Sequence, residues 1–382
     1  MDFRPQRILL SSPIKEAICL NLAFKDVVNL KKALNFPSLK CKVFITDPDS
    51  QVLFLNRVDE TAILVYNAIQ KHGSKTALIS FCQEGNTKAV KFLLSQGVNV
   101  NHPDRDGEQA LITASIQGRL KIVKILLNHQ ADINIKNSEG YTALMMASEN
   151  SCSGQINFNC LKILELLLER DNSNINEISK LGDTALLCAA DTDHPEAVKI
   201  LLENGSDPNI TRAYGNTALL LSVGSKDLRM IKILLKYGAD INAVDGNGIN
   251  ALYMAVERGS LKLVKFLLEY KLNPIQVDVP DPDGVTALIL ASANGYLEIV
   301  KLLLSSGANI NAAGDDGGAA LIFASSRGYL EIVKLLLAVG STQINVNAVD
   351  WDNLTAIDRA LMQGHLEIVQ LLKAAGAITN FQ

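Results

Sequence analysis

Apolar and polar positions along most of this chain are spaced as short helices arranged in pairs. Residues 281–313 show the arrangement most clearly. Asp283-Gly284 supplies turn chemistry, and the Thr286 hydroxyl stands where it can cap a helix. Leu288, Ala291 and Ser292 follow at helical spacing, and Asn294-Gly295 stops the run, glycine being the usual left-handed terminator. Leu297, Val300, Leu303 and Leu304 form the apolar stripe of a second helix, which Ser306-Gly307 closes. Ala308-Asn309-Ile310-Asn311 leads into the next turn. The unit is a turn and an antiparallel helix pair. It has apolar surface on both stacking sides, which only neighbouring copies can bury.

The unit returns at a near-constant interval. Its opening reads Thr76-Ala77-Leu78, Thr142-Ala143-Leu144, Thr184-Ala185-Leu186, Thr217-Ala218-Leu219, Thr286-Ala287-Leu288 and Thr355-Ala356-Ile357. Degenerate openings stand at Gln109-Ala110-Leu111, Asn250-Ala251-Leu252 and Ala319-Ala320-Leu321. Counted from position 76, the steps are 33, 33, 42, 33, 33, 36, 33 and 36 residues. A self-similar period of this size marks a stacked repeat array. The expected fold class is all-α: an α-solenoid of nine helix-turn-helix units over residues 73–377. A small helical region at 1–72 precedes it and a tail at 378–382 follows. The step of 42 places about eight extra residues between the two helices of the third unit, around 152–159. The two steps of 36 add three residues each in the loop after a second helix, near 276–280 and near 341–345. Insertions in surface loops are tolerated cheaply, so drift explains them as well as partner contact does.

These blocks resemble the ankyrin repeat over roughly four-fifths of the chain. The resemblance rests on Gly118-Arg119-Leu120-Lys121-Ile122-Val123-Lys124-Ile125-Leu126-Leu127, Gly295-Tyr296-Leu297-Glu298-Ile299-Val300, Gly364-His365-Leu366-Glu367-Ile368-Val369 and the loop block Gly238-Ala239-Asp240-Ile241-Asn242. Two departures stand out. Alanine follows the threonine where the family has proline. The family's histidine three residues after the threonine is here Ile79, Ile112, Met145, Leu187, Leu220, Tyr253, Ile289, Ile322 or Asp358. The Thr–His hydrogen-bond network is expected to be absent, with apolar packing in its place.

The resemblance implies a non-catalytic, monomeric scaffold that binds a protein partner through its concave face and projecting finger loops. Such arrays bind through the turn before each threonine and the end of each first helix. Here those positions include Tyr141, Glu149, Asn150, Leu181, Tyr214, Asn247, Ile249, Glu257, Arg258, Asp283, Asn294, Asp316, Arg327, Trp351 and Leu354. They vary in type from copy to copy while the packing positions do not. Unconstrained surface varies in the same way. Tyr, Trp and Arg most often dominate binding energy, which selects Tyr141, Tyr214, Arg258, Arg327 and Trp351 as anchors.

Residues 1–72 do not repeat. Leu10, Ile14, Ile18, Leu22, Asp26-Val27 and Leu30, with Ala33, Leu34 and Phe36 beyond them, follow a spacing similar to the F-box, which docks on a ubiquitin-ligase adaptor. The family's Leu-Pro opening is replaced by Leu10-Ser11, with Pro13 beyond. Apolar residues four apart also describe any amphipathic helix, and a solenoid needs a polar-faced cap. Two readings therefore stand for this segment. It is a cap, or residues 10–36 make the chain a substrate-recruiting subunit of a ubiquitin ligase. Proteins of this family also occur as host-directed factors of intracellular bacteria and large viruses.

Composition narrows the function further. Net charge is -4, which argues against general nucleic-acid binding. The six cysteines, Cys19, Cys41, Cys82, Cys152, Cys160 and Cys188, include no close Cys-x-x-Cys pair, so reduced thiols in the cytoplasm, or in a host cytosol for a secreted effector, are expected. No signal-peptide pattern and no apolar run of membrane-spanning length is visible. No His-Glu-x-x-His, phosphate-binding glycine loop or Gly-x-Ser-x-Gly elbow is present, and no catalytic residue, metal or cofactor is expected. His194 and His365 stand where second helices start, a structural place. Asp315-Asp316 and the Asp-x-x-Gly turns lack the ligand ladder of a calcium loop.

Overall fold

A computed structural model describes residues 74–149, 158–224, 228–339 and 344–380, together with Thr61, Leu64, Val65 and Ala68. The F-box-like positions in residues 10–36, Asn150, and most of the segments 152–159 and 341–345 lie outside the described residues. Among those described, eighteen α-helices form nine pairs. The first four pairs are α1 (Ser74–Glu84) with α2 (Thr87–Ser95), α3 (Ala110–Ile116) with α4 (Leu120–Asn128), α5 (Ala143–Glu149) with α6 (Phe158–Arg170), and α7 (Ala185–Asp191) with α8 (Pro195–Glu203). The next three are α9 (Ala218–Ser222) with α10 (Leu228–Lys236), α11 (Ala251–Glu257) with α12 (Leu261–Glu269), and α13 (Ala287–Ala293) with α14 (Leu297–Ser305). The last two are α15 (Ala320–Ser326) with α16 (Leu330–Val339), and α17 (Ala356–Met362) with α18 (Leu366–Ala374). No helix among the described residues is long and apolar enough to cross a membrane. Two compact units are present, one ending at Ser138 and one running from Glu139 to Gln382.

Local chemistry sets the helix lengths. The Thr142, Thr184, Thr217 and Thr286 hydroxyls accept from the amide three residues on, at 3.2–3.5 Å, and so begin the first helices. Asn250 does the same in a degenerate copy, accepting from Tyr253 at 2.9 Å. Gln109 and Ala319 provide no side-chain cap, and Thr76 lies inside α1. Glycines with positive φ end the helices, among them Gly118, Gly259, Gly295 and Gly328. Where two such glycines are missing, Gln130 and Asp193 adopt φ of +62° and +59° in their place.

The second helices keep their stripe buried even behind degenerate openings: Ile122, Val123 and Leu126 in α4, Leu263, Val264 and Leu267 in α12, Ile332, Val333 and Leu336 in α16. Extra length in the third pair goes partly into helix, because α6 starts a turn early at Phe158 and buries Cys160. In the second unit α5 on α7, α13 on α15 and α15 on α17 pack more closely than the second helices beside them.

Small residues permit that stacking. A Cβ on Gly295 would lie 2.7 Å from the Tyr329 ring of the next repeat, and Gly328 meets His365 in the same way. Gly295→Ala is expected to lose about 1–2 kcal/mol from its φ of +77° and more from the ring contact. Gly307→Ala, with φ +87° and open space around it, should lose the backbone part alone. Thermal unfolding of the two variants checks this, and equal losses would remove the ring contact from the account.

The loops are tied by a repeating polar device. In seven of them an asparagine or aspartate side chain accepts from a backbone amide one repeat on. Asn101 accepts from Asp132 at 2.8 Å in the first unit. In the second unit Asn176 accepts from Asp207, Asn209 from Asp240, Asp278 from Asn309 and Asn347 from Ile378, at 2.8–3.0 Å and all 31 residues apart. The rungs from Asn242 to Gln276 and from Asn311 to Asn345 span 34 residues instead. This corrects the expected place of one insertion. The stretch from Gln276 to α13 matches that from Asn309 to α15, so the three extra residues precede Gln276, within 270–275, and are not at 276–280. The second insertion likewise precedes Asn345.

Candidate functional site

A second ladder runs along the hairpin tips of the second unit. The Lys180 amide donates to the Glu139 carbonyl at 3.0 Å, Ala213 to Leu181 at 3.4 Å, Gly246 to Tyr214 at 2.6 Å, Asp315 to Asp283 at 2.8 Å and Trp351 to Asp316 at 2.8 Å. Pro282 occupies the corresponding donor position and has no amide hydrogen, so the rung onto Asn247 is missing. Four of the expected contact positions, Leu181, Tyr214, Asp283 and Asp316, are thus rung acceptors whose backbone is fixed by the neighbouring hairpin.

Exposure divides the fifteen expected positions. Leu181, Tyr214, Asn247, Glu257, Arg258, Asp283, Asn294, Arg327 and Trp351 are exposed, while Tyr141, Glu149, Ile249, Asp316 and Leu354 are half-buried. Of the large apolar and aromatic ones, Tyr214 and Trp351 project furthest, at 86% and 82% exposure. Glu149 and Glu257 end α5 and α11; Arg258, Asn294 and Arg327 are the residues directly after α11, α13 and α15. Ile249 and Leu354 donate their amides to Asp245 and Asp350, which places them at turn bases. Asn150 lies outside the described residues.

Sequence reasoning passed over the charged groups between these positions. Asp183 stands directly before Thr184, the position that Tyr141 holds before Thr142, and the Tyr141 hydroxyl donates to Asp183 Oδ2 at 2.8 Å. Asp183 Oδ1 is buried without a hydrogen-bond partner, and its nearest cation, Arg212 Nη1, is 3.6 Å away. Arg212 makes its side-chain hydrogen bonds to Asp191, at 3.0 and 3.4 Å. Burial and the negative charges of Asp183 and Asp191 raise the Glu149 carboxyl above its ordinary pKa. Burial, followed by the bond to Asp183 and its charge, pushes the Tyr141 hydroxyl up to about 12. Asp183 and Asp191 thus share one guanidinium, and Glu149 lies within reach of both their charges.

A parallel arrangement recurs further along, where the Tyr253 hydroxyl donates to Asp281 at 2.6 Å beside Glu257 and Asp283. Polar bonds therefore fill two places where apolar packing was expected. Tyr253 and Asp358 both occupy the histidine position and both are engaged in hydrogen bonds. By contrast Lys162, Lys199, Lys232, Lys236, Lys262, Lys265, Lys301, Lys334 and Lys373 all stand on second helices. The side formed by hairpins and first helices is the acidic one.

The Cys82, Cys160 and Cys188 thiols are buried, and burial pushes Cys82 up to about 12, far from a thiolate at neutral pH. His194 and His365 sit at the starts of α8 and α18, the latter 3.2 Å from the Ser326 carbonyl. Among the described residues no group of three or more His, Cys, Asp or Glu is placed to hold a metal ion.

The family described as ankyrin repeats (3 copies) matches residues 52–137, 154–245, 219–314 and 311–382. Among solved structures, the chain is similar to the crystal structure of the ankyrin repeat domain of Bcl-3, a unique member of the IkappaB protein family. Identity is 27% and the TM-score 0.52, over 61% of this chain and 100% of that one. With 599 solved chains matching, such likeness identifies a fold and not a partner. No match is found among curated proteins.

Proposed function

Since the chain belongs to the ankyrin repeat family, a module of protein–protein interaction, we propose that it is a non-catalytic scaffold holding a protein partner on its hairpin tips and first-helix ends. The observation that carries this reading is the placement of Leu181, Tyr214 and Trp351. Large apolar side chains stand outward there on backbone that the tip ladder already holds in place. Such pre-ordering lowers the entropic cost of association, and exposed aromatics of this kind dominate many interfaces. Arg258 and Arg327 are exposed cations directly after α11 and α15. Tyr141 differs from the other anchors, because its hydroxyl is committed to Asp183.

The test is affinity capture from lysate with the full chain and with a variant carrying alanine at Tyr141, Tyr214, Arg258, Arg327 and Trp351. The variant should lose the partners that the parent retains. Once a partner is in hand, at least one single alanine should weaken it by more than about 1 kcal/mol. A folded variant that keeps every partner would overturn the assignment. The ubiquitin-ligase reading depends on residues 10–36 and is separated by Ile14→Asp in the full chain. Loss of adaptor binding with unchanged unfolding supports it. Lowered stability with unchanged partners supports the cap.

A further inference from the structure

The acidic recess of repeats three and four lies directly behind two exposed apolar tips. Leu181 and Tyr214, 59% and 86% exposed, belong to adjacent hairpins joined by the bond from the Ala213 amide to the Leu181 carbonyl. Tyr214 holds its place at a backbone cost. Its φ is +65°, a left-handed conformation that non-glycine residues avoid. The turned Tyr214 carbonyl reaches the Gly246 amide at 2.6 Å, and a Cβ on Gly246 would crowd it at 3.1 Å. The neighbouring tip is thus shaped to keep this tyrosine in its strained, outward position.

The charge behind the tips is unbalanced. Arg212 is shared between Asp191 and Asp183, and no other cation lies within ion-pair distance of these two or of Glu149 among the described residues. Asp183 is only 7% exposed, yet its Oδ1 accepts no hydrogen bond. A buried carboxylate oxygen left in this state is costly, and added positive charge nearby relieves it. Glu149 and Asp191 occupy the same position in successive repeats, the last residue of α5 and of α7, so a single extended cationic side chain can lie between them.

Resting on the scaffold reading above, we propose that this face takes a basic segment of a partner protein. An arginine or lysine enters between Glu149 and Asp191, and an apolar side chain beside it packs on Leu181 and Tyr214. The partner is identified by that pairing of one cation with one apolar neighbour, and the interaction weakens with salt because charge draws it in.

The experiment uses the full chain and a phage-displayed library of random dodecapeptides. Enriched peptides should carry net positive charge and an aliphatic or aromatic residue next to an arginine or lysine. Measured by fluorescence anisotropy, a recovered peptide should lose at least about tenfold in affinity with Glu149→Gln plus Asp191→Asn, and a similar factor with Tyr214→Ser. Glu269→Gln, which removes a carboxylate from the second helix α12 and lies outside this face, should leave it unchanged. Unfolding curves that coincide with the parent establish that the variants fold. Enriched peptides that are neutral or acidic, binding that survives the variants, or no enrichment at all overturns the proposal. Each of these leaves the scaffold reading to stand or fall on its own capture experiment.

Discussion

Leu126→Ala is expected to cost roughly 2–5 kcal/mol in urea unfolding, as a large-to-small change at a fully enclosed position. Leu126 is 0% exposed in α4, one turn after Ile122 and Val123 and adjacent to Leu127, all of them buried. Removing its branched end deletes buried apolar contacts and leaves a space that the flanking helices close only in part. Lys124→Ala on the exposed side of the same helix should change stability by less than about 0.5 kcal/mol. Each repeat meets only its neighbours, so the loss should appear as earlier melting of the repeats around α4. A cost below about 1 kcal/mol would mean that the stripe of this degenerate copy is not a packed interior.

Asp358→Ala is the second large change, at about 2–4 kcal/mol, because it strands the buried Thr355 donors and releases Thr379 and Asn380 at once. Asp358 is 0% exposed in the first turn of α17. It accepts from the Thr355 amide at 2.9 Å and the Thr355 hydroxyl at 2.7 Å. It also accepts from the Thr379 hydroxyl at 2.7 Å and the Asn380 amide at 3.1 Å, which folds residues 378–380 back over the last repeat. Asp352→Ala, which breaks only an exposed ion pair with Arg359, should cost less than about 1 kcal/mol.

The same carboxylate gives a pH dependence. Burial raises its pKa, but the bonds from Thr355, Thr379 and Asn380 outweigh burial and hold it below the ordinary 3.8. The folded value lies under the unfolded one. The contribution is therefore complete above the unfolded value and is lost as pH falls through the folded value. Melting temperature against pH should drop for the parent in that acid range and stay flatter for Asp358→Ala. Parallel curves would rule out Asp358 as the source.

Repetition made the architecture legible. The Thr-Ala-Leu openings, the helix-ending glycines and the second-helix stripes each report a local physical need, and nine copies of one need are hard to misread. Position in a loop was less legible. Counting from helix to helix gives the size of the insertion before α13 but not its place, which the Asn242–Gln276 bond fixes. Contacts across repeats were the least legible. Asp183 reads alone as a turn residue, and only its 42-residue reach to Tyr141 shows it as part of a charged recess. Asp358 reads as a departure from a family position, yet its partners lie beyond the last helix. The fifteen expected contact positions follow from their place in the unit, while the carboxylates between them follow from no periodic rule.

The side-chain rungs between loops also bear on where foreign sequence can be grafted. Each rung fixes the chain from its amide forward to the next first helix, and length between the preceding second helix and that amide is absorbed without shifting anything downstream. The chain uses this freedom twice. At 271–274 the added stretch is solvent-exposed, with Leu272 at 87%, and its tie to the body there is the Pro274 carbonyl accepting from Asn242 at 3.1 Å. An epitope or a cross-linking handle inserted after Leu272 would leave that tie and every later repeat in register. The same insertion placed after Gln276 would break the count to α13 and with it the alignment of the tips.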